Sequence, residues 1–203
     1  MPRLYDYLDS GNGYKIRLIL AQTGQAYSRT ELDIDKGETR TPQFLAKNPN
    51  GRIPILELDD GTFLAESNAI LWYLAEGSAF LPTDRIGRAQ VLQWMFFEQY
   101  SHEPYVATPR YIVRHLPADS PRRAELPDRM KRGHDAIAVM ETHLRSRTFF
   151  VAERYSIADI ALYAYTHVAP QAGFDLTAYP SVLAWLGRVA AQAAHIPITY
   201  QPA

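Results

Sequence analysis

The first part of the chain alternates between strand-like and helix-like patterns of apolar residues. A short aromatic-rich run at residues 3–7 predicts a strand, and the loose alternation over residues 27–33 predicts a second one. Apolar residues recur at helical spacing over residues 14–22, and Gly24 can end that helix. The Thr-Pro pair that opens residues 41–46 is typical of a helix N-terminus, so we expect a short second helix there.

The next segment carries the pattern of a β-hairpin. Short apolar runs at residues 53–58 and 62–65 flank the sequence Asp-Asp-Gly at residues 59–61, which is a favourable turn between two strands. A helix is then predicted over residues 66–76. Because a hairpin contributes antiparallel strands, the complete sheet is expected to be mixed rather than purely parallel.

The pattern changes after the third predicted helix, at residues 66–76. Residues 77–83 carry Gly, Ser and Pro without periodicity. This predicts a linker at residues 78–85, between an α/β domain at residues 1–77 and an all-helical domain at residues 86–203. In the second domain, apolar residues recur at helical spacing in four segments that Pro- and Gly-rich stretches separate. The predicted helices span about 86–114, 127–145, 157–169 and 181–194.

Composition and charge exclude several classes of protein. The net charge is −1 and the basic residues are interleaved with acidic ones, so we expect no nucleic-acid partner and no attraction to anionic lipid. The chain has no cysteine, which excludes a disulfide framework, a thiolate metal site and a catalytic cysteine. Any thiol chemistry must therefore use a thiol from a ligand. The histidines lack metal-ligand spacing, so no metal is expected.

The N-terminal residues and the apolar runs bear on location. The N-terminus lacks the apolar stretch of a secretion signal, and no run of apolar residues approaches the length of a membrane span. We therefore expect no membrane partner and a cytoplasmic location.

Three motifs occur in order along the chain, at residues 48–56, 64–70 and 156–161. The first, Asn-Pro-Asn-Gly-Arg-Ile-Pro-Ile-Leu, resembles the N-P-x-G-[basic or Gln]-[Val/Ile]-Pro-x-Leu stretch of glutathione transferases. The second, Leu-Ala-Glu-Ser-Asn-Ala-Ile, resembles their (E/Q)-S-x-A-I helix start, and the third, Ser-Ile-Ala-Asp-Ile-Ala, resembles their (S/T)-x-A-D capping box. Together they cover nearly the whole chain.

This resemblance implies a fold and a set of partners. The expected fold is an N-terminal thioredoxin-like domain (βαβ-α-ββα, with a mixed four-stranded sheet) followed by a C-terminal helical bundle domain. Glutathione is the implied co-substrate, a small hydrophobic electrophile is the second substrate, and a homodimer is the expected assembly. Residues 62–80 and the helix from Ile86 are candidates for the dimer interface.

The resemblance also assigns residues to glutathione. The Ile53–Pro54 bond is expected to be cis, which would turn the backbone of Ile53 outward to pair with the cysteinyl part of the ligand. Ser67 would bind the γ-glutamyl carboxylate through its hydroxyl and N–H at a helix N-terminus. Glu66 would meet the γ-glutamyl ammonium, with help from the second subunit, and Arg52 has reach toward the glycyl carboxylate.

The segment after the first predicted strand is expected to activate the thiol. Ser10 and Asn12 lie in a predicted turn before a helix, where hydroxyl and N–H donors and the helix dipole stabilise a thiolate. Ser10 is our first candidate, Asn12 could share or take over the role, and Tyr5 or Tyr7 are third. The run that starts at Ser10 resembles a bacterial serine-type subgroup and also the nu-class enzymes, which reduce disulfides with two glutathiones.

The helical domain is expected to provide the electrophile pocket. Tyr105 and Tyr111, which flank Pro109 and Arg110, are the candidates for its lining. Pro104 and Pro109 are expected to break or kink the helix that carries them.

The function stays open between three hypotheses. Conjugation of the glutathione thiolate to a soft electrophile is the leading one, and glutathione-dependent disulfide or peroxide reduction is the first alternative. A non-catalytic binding protein is the second alternative. Ser156 and Asp159 are interpreted as a structural capping box, whose loss should harm folding before chemistry.

Overall fold

The computed structural model describes residues 1–201, and its first part is built on one mixed sheet of four short strands. The strands are β1 (Arg3–Asp6), β2 (Ser28–Glu31), β3 (Ile55–Glu57) and β4 (Phe63–Ala65), in the spatial order β2-β1-β3-β4. β1 and β2 are parallel, whereas β3 is antiparallel to both of its neighbours. The mixed four-stranded sheet is thus confirmed.

Three helices accompany the sheet. α1 (Gly11–Thr23) connects β1 to β2, α2 (Pro42–Leu45) precedes β3, and α3 (Ser67–Ala75) follows β4. α1 ends at Gly24, whose φ of 66° is the left-handed conformation that glycine adopts most easily. The side chain of Thr41 caps α2 by accepting the N–H of Phe44.

The start of α1 differs from the sequence prediction. The sequence predicts a turn around Asn12, but residues 11–13 form the first turn of α1 instead. Ser10 is the N-cap residue and accepts the N–H of Gly13 at 3.2 Å, which allows the helix to begin at once. A Cβ atom at Gly13 would collide with the carboxylate of Asp6. Glycine is therefore needed here for close packing against β1 rather than for a turn.

Five helices form the second part of the chain. They are α4 (Arg85–Phe97), α5 (Glu103–His115), α6 (Leu126–Leu144), α7 (Ile157–Thr166) and α8 (Pro180–Ala190). None of the helices within residues 1–201 combines the length and apolar character that crossing a membrane requires.

The long helix predicted over residues 86–114 is interrupted once. A five-residue π-helical turn at Glu98–His102 separates α4 from α5. Pro104 lies in the first turn of α5, where its missing N–H has no intrahelical acceptor to lose. Pro109 lies inside α5, and the helix continues past it to His115, so Pro109 does not break the helix; a kink there stays a prediction.

α7 is the buried helix of the second part, with all ten of its residues buried. Ser156 caps it by accepting the N–H of Ala158, and Asp159 returns a hydrogen bond from the N–H of Ser156 at 2.9 Å. The predicted capping box is confirmed.

The chain divides into two compact units, one of which combines residues from both ends of the sequence. Met1–Ser78 and the described residues after Gln192 form one unit, and Ala79–Gln192 forms the other. The sequence analysis assigns residues 193–203 to the helical domain, and positions 202 and 203 lie outside the described residues. The described residues of this segment group with the first unit because Tyr14 donates from its hydroxyl to the carbonyl of Ile196 at 2.7 Å.

Candidate functional site

The register of the sheet brings three segments to one of its ends. Tyr5 lies opposite Ile55 in the β1–β3 pair, and Ile55 lies opposite Ala65 in the β3–β4 pair. The chain therefore leaves β1, enters β3 and leaves β4 at the same end of the sheet. The predicted residues that follow or precede the strands at this end are Ser10, Asn12, Arg52, Ile53, Pro54, Glu66 and Ser67.

Ser10 occupies the N-cap of α1. Its Oγ accepts the N–H of Gly13, and its carbonyl accepts the N–H of Tyr14 at 2.9 Å. Because the hydroxyl acts as acceptor in the capping bond, it keeps its hydrogen to donate to another group. The positive end of the helix dipole lies at the same place. A thiolate near this hydroxyl would meet a donor and a favourable field.

A buried ion pair holds β1 against α1. Asp6 and Arg17 are both fully buried, and Arg17 Nε lies 2.9 Å from Asp6 Oδ2 as an ion pair without hydrogen-bond alignment. Asp6 also accepts the N–H of Tyr7 at 2.7 Å and contacts Arg29 Nε at 3.2 Å. Burial raises the pKa of Asp6, while the charges of Arg17 and Arg29 act in the opposite direction.

Arg17 also connects the segment before Ser10 to the end of the chain. Its Nη2 donates to the carbonyl of Leu8 at 2.7 Å, and its Nη1 donates to the carbonyl of Ile198 at 2.7 Å. The N–H of Leu8 donates in turn to Glu31 Oε1 at 2.8 Å. The loop that carries Ser10 is thus held through both polar backbone groups of Leu8.

A second buried network joins α1 to α3. Lys15 is fully buried, and its Nζ donates to Ser67 Oγ at 3.2 Å and to Asn68 Oδ1 at 3.4 Å. The hydroxyl of Ser67 donates to Asn12 Oδ1 at 3.2 Å. Two of the predicted site residues, Asn12 and Ser67, are therefore in direct contact.

Glu66 has an unusual backbone. It is exposed, and its φ of 68° and ψ of 114° are rarely adopted by a residue with a Cβ atom. Such a conformation costs about 1–3 kcal/mol and is found most often at functional sites. It places Ser67, which is only 4% exposed, at the first position of α3. The N–H groups of the first turn of α3 lack intrahelical acceptors.

The segment before β3 has the backbone that the resemblance implies. The Ile53–Pro54 bond is cis, which confirms that expectation. Arg52 is exposed, and its carbonyl accepts a hydrogen bond from Asn48 Nδ2 at 2.8 Å. The side chain of Asn48 thus fixes the backbone beside the cis bond.

The three residues predicted for the electrophile lie on α5 in the helical unit. Arg110 is 4% exposed, and its Nε donates to Gln171 Oε1 at 2.8 Å. The hydroxyl of Tyr105 accepts from Arg132 Nη1 at 3.1 Å. Tyr111 is half-buried. Their role toward a substrate stays a prediction.

Sequence reasoning missed the buried charged residues of this region. Asp6, Lys15 and Arg17 were not singled out, although Lys15 and Arg17 alternate with apolar residues in a helix that is buried almost all round. Charges within an apolar helix are the pattern that could have identified them. Among residues 1–201, no group of His, Cys, Asp and Glu side chains could hold a metal ion.

The mixed sheet, the cis-proline before β3 and the helical domain that follows define a thioredoxin-like domain joined to an all-helical one. Family models agree with this class. Residues 2–76 match the glutathione S-transferase N-terminal domain, and residues 93–193 match the glutathione S-transferase C-terminal domain. The chain belongs to the glutathione S-transferase family.

Solved structures and a curated relative support the assignment. A glutathione S-transferase from Pseudomonas fluorescens is 54% identical, with a TM-score of 0.93 over 97% of this chain and 98% of that one. The disulfide-bond oxidoreductase YfcG of Escherichia coli is 32% identical over 187 residues, which cover 88% of this chain and 85% of that protein. A glutathione transferase from Burkholderia graminis is 26% identical, with a TM-score of 0.82 over 95% and 85% of the chains, and has two glutathione molecules bound per subunit.

Proposed function

We propose that this protein is a glutathione transferase that holds the thiol of glutathione as a thiolate and transfers it to a hydrophobic electrophile. The observation that carries the proposal is the hydroxyl of Ser10 at the N-cap of α1, at the sheet end where the cis-proline and the N-terminus of α3 also lie. A cytoplasmic homodimer is the expected form, as for the family that the motifs resemble.

Holding the glutathione thiol as a thiolate at neutral pH requires no strong base. An unperturbed thiol has a pKa near 8.5, and lowering it by about two units requires roughly 2.7 kcal/mol of preferential stabilisation of the thiolate. One hydrogen bond to a charged group supplies about 1.5–3 kcal/mol, and the helix dipole adds about 0.3–1 kcal/mol. The hydroxyl of Ser10 and the N-terminus of α1 are therefore sufficient.

The other residues at this end of the sheet would orient the tripeptide. The backbone of Ile53 would pair with the cysteinyl part, and the N-terminus of α3 at Ser67 would receive the γ-glutamyl carboxylate. Glu66 and Arg52 would meet the ammonium and the glycyl carboxylate. The thiolate sulfur then forms a bond to an electrophilic carbon. In a substitution, the bond from that carbon to the leaving group breaks and its electron pair leaves with the anion. In an addition, the electron pair of the conjugated double bond moves into the acceptor, which then takes up a proton. Tyr105, Arg110 and Tyr111 are the residues proposed for the electrophile.

Ultraviolet titration of bound glutathione tests this function. The wild type is expected to show a thiolate at neutral pH, and Ser10→Ala to bind glutathione with a thiol pKa raised by about one to two units, since the lost hydrogen bond is worth about 1.5–3 kcal/mol. Thr41→Ala is the matched control, because Thr41 is also a helix N-cap but lies on α2. It should lose similar stability and leave the thiol pKa unchanged. No glutathione binding by the wild type would refute the proposal.

A second candidate is glutathione-dependent disulfide reduction. The relative named a disulfide-bond oxidoreductase favours it, as does the relative with two glutathiones bound. One thiolate would attack a disulfide sulfur and release a thiol, and a second glutathione would then resolve the mixed disulfide to oxidised glutathione. Calorimetry distinguishes the two functions through the number of glutathiones bound per chain. One bound glutathione, with no oxidised glutathione formed from a small organic disulfide, would exclude the second candidate.

A further inference from the structure

A surface cavity of about 420 Å³ lies in the helical unit, between the end of α6 and the start of α8. Three of the side chains that line it are arginines, Arg145, Arg147 and Arg188, and no carboxylate among residues 1–201 lines it. The net charge of the whole chain is −1, so a basic composition does not explain this cluster. A cleft lined by charges of one sign attracts ions of the opposite sign, and this cleft therefore attracts anions.

Two acidic residues near the cavity pair only loosely with its arginines. Arg145 Nε lies 3.9 Å from Glu141 Oε1, and Arg147 Nη1 lies 3.7 Å from Glu153 Oε1. Both distances are longer than a hydrogen bond, and exposed ion pairs contribute little. Glu141 Oε2 instead accepts the N–H of Val182, in the first turn of α8, at 3.0 Å. The start of α8 thus already holds a carboxylate, and the arginines rather than the helix N-terminus define the cavity as an anion site.

Hydrogen bonds hold the backbone that carries two of the arginines. The carbonyl of Thr148 accepts from Arg188 Nε at 3.0 Å, and the N–H of Thr148 donates to Glu153 Oε2 at 2.6 Å. Glu153 and its neighbour Ala152 have φ values of 53° and 52°, which residues with a Cβ atom rarely adopt and which are found most often at functional sites. The bond to Thr148 uses one of the five N–H donors of the Arg188 guanidinium, so its two NH₂ groups can donate to a ligand.

The rest of the lining suits a ligand that combines a phosphate with a small organic group. Hydroxyl groups come from Ser146, Thr148 and Ser181, and apolar surface comes from Leu144, Pro180 and Ala184. The planar guanidinium of arginine matches the oxygens of a phosphate, to which it donates two parallel hydrogen bonds. A bare phosphate ion would fill only a small part of the cavity, whose volume lies in the range that is usual for organic ligands.

We propose that this cavity binds a small phosphate monoester, with the phosphate at the three arginines and the organic group on the apolar lining. A monoester carries a charge of about −1.5 to −2 at pH 7, which offsets most of the repulsion among the arginines. The cavity belongs entirely to the helical unit, and binding there requires no glutathione. The proposal is therefore independent of the proposed function.

The test titrates three probes into the full chain and follows backbone amide signals by nuclear magnetic resonance. Phenyl phosphate is expected to shift the amides of Ser146, Thr148 and Ser181 with a Kd of about 1 mM or below. Inorganic phosphate should shift the same amides with a Kd about tenfold higher, because it lacks the apolar contact. Phenol, which lacks the charge, should leave these amides unshifted.

Arginine variants and a matched control identify the groups that bind. Arg147→Gln and Arg188→Gln should each raise the Kd for phenyl phosphate by about tenfold, because each removes hydrogen bonds between charged groups. Arg147→Gln leaves the bond between Arg188 and Thr148 in place, so it decides the question even if Arg188→Gln disturbs the loop. Arg122→Gln is the control, since Arg122 is an exposed arginine of the same unit that pairs with Glu125 at 2.9 Å, and its Kd should equal that of the wild type.

Three results would overturn the proposal. The first is that phenyl phosphate shifts none of the three amides, or shifts only amides of the first unit. The second is that Arg147→Gln binds phenyl phosphate as tightly as the wild type and Arg122→Gln do. The third is that inorganic phosphate binds as tightly as phenyl phosphate, which would make the cavity a site for the free anion rather than for an ester.

Discussion

Asp159 accepts four hydrogen bonds in the interior of the helical unit, and its removal should be among the most damaging single changes. Oδ1 accepts from Trp185 Nε1 at 2.9 Å and from the N–H of Phe150 at 3.2 Å. Oδ2 accepts from the N–H and the hydroxyl of Ser156 at 2.9 and 3.0 Å. The side chain is fully buried, so water cannot replace these bonds.

The magnitude follows from the donors that Asp159→Ala would leave behind. The N–H groups of Trp185, Phe150 and Ser156 would each lose an acceptor, and an unsatisfied buried donor costs about 1–3 kcal/mol. The loss in the free energy of unfolding should therefore be at least about 3 kcal/mol, from a total that is typically about 5–15 kcal/mol.

Unfolding in urea, monitored by circular dichroism, measures this loss in the free energy of unfolding. Asp128→Ala is the control, because Asp128 also lies in the first turn of a helix but is exposed and pairs with Arg132 at 3.1 Å. Its change should be much smaller, since exposed ion pairs contribute little. If Asp159→Ala lost no more stability than Asp128→Ala, the reasoning from buried donors would be refuted.

The same carboxylate predicts a pH dependence. Burial raises the pKa of Asp159 from 3.8 to about 6, against the effect of its hydrogen bonds. Between these values the folded chain keeps a proton that the unfolded chain has released, so this group's contribution to stability falls as pH rises. At about 1.4 kcal/mol per pH unit the fall is about 3 kcal/mol. The stability difference between wild type and Asp159→Asn should shrink accordingly from pH 4 to pH 7, and a constant difference would contradict the assignment.

Four further changes test the packing of the first unit and, for comparison, one glycine of the helical unit. Gly13→Ala should lower the thermal midpoint sharply, because the added methyl group collides with the buried carboxylate of Asp6 at the end of β1. Gly187→Ala has open space around the added methyl group, so its free energy of unfolding should rise by about 0.5–1 kcal/mol in calorimetry. Glu66→Gly should stabilise the fold by about 1 kcal/mol in urea unfolding, yet weaken glutathione binding in titration. Deleting residues 196–203 removes two carbonyl acceptors of Arg17, those of Ile198 and Tyr200, and should reduce hydrogen-exchange protection of β1 and α1. Unchanged protection would contradict this.

The elements that depend on local patterns could be predicted from the sequence. The Asp-Asp-Gly turn at residues 59–61 favours the hairpin, because Gly61 adopts a φ of 83°, which few residues other than glycine adopt easily. The capping box at Ser156 and Asp159 is likewise complete within four residues. In both cases the interacting residues are neighbours in sequence, so a short segment is enough to predict the structure.

The connections within the site could not be predicted in this way. Arg17 bonds a carbonyl near each end of the chain, at Leu8 and Ile198, and no local pattern relates these residues. Lys15 reaches Ser67 only because α1 and α3 pack together. The sequence around Gly13 does not show why glycine is needed there, since the carboxylate of Asp6 that requires it lies on another element. Contacts distant in sequence decide these positions.

α1 therefore contributes both to the core and to the candidate site, and its buried charged residues Lys15 and Arg17 connect the two. Replacing a buried ion pair by apolar residues is often neutral or favourable for stability. Stability alone thus gives little reason to keep Asp6 and Arg17, or Lys15, inside the first unit. The bonds of Arg17 and Lys15 instead reach Leu8, two residues before Ser10, and Ser67, which contacts Asn12. A polar contact fixes direction as well as distance, and the thiolate of the proposed function would require both.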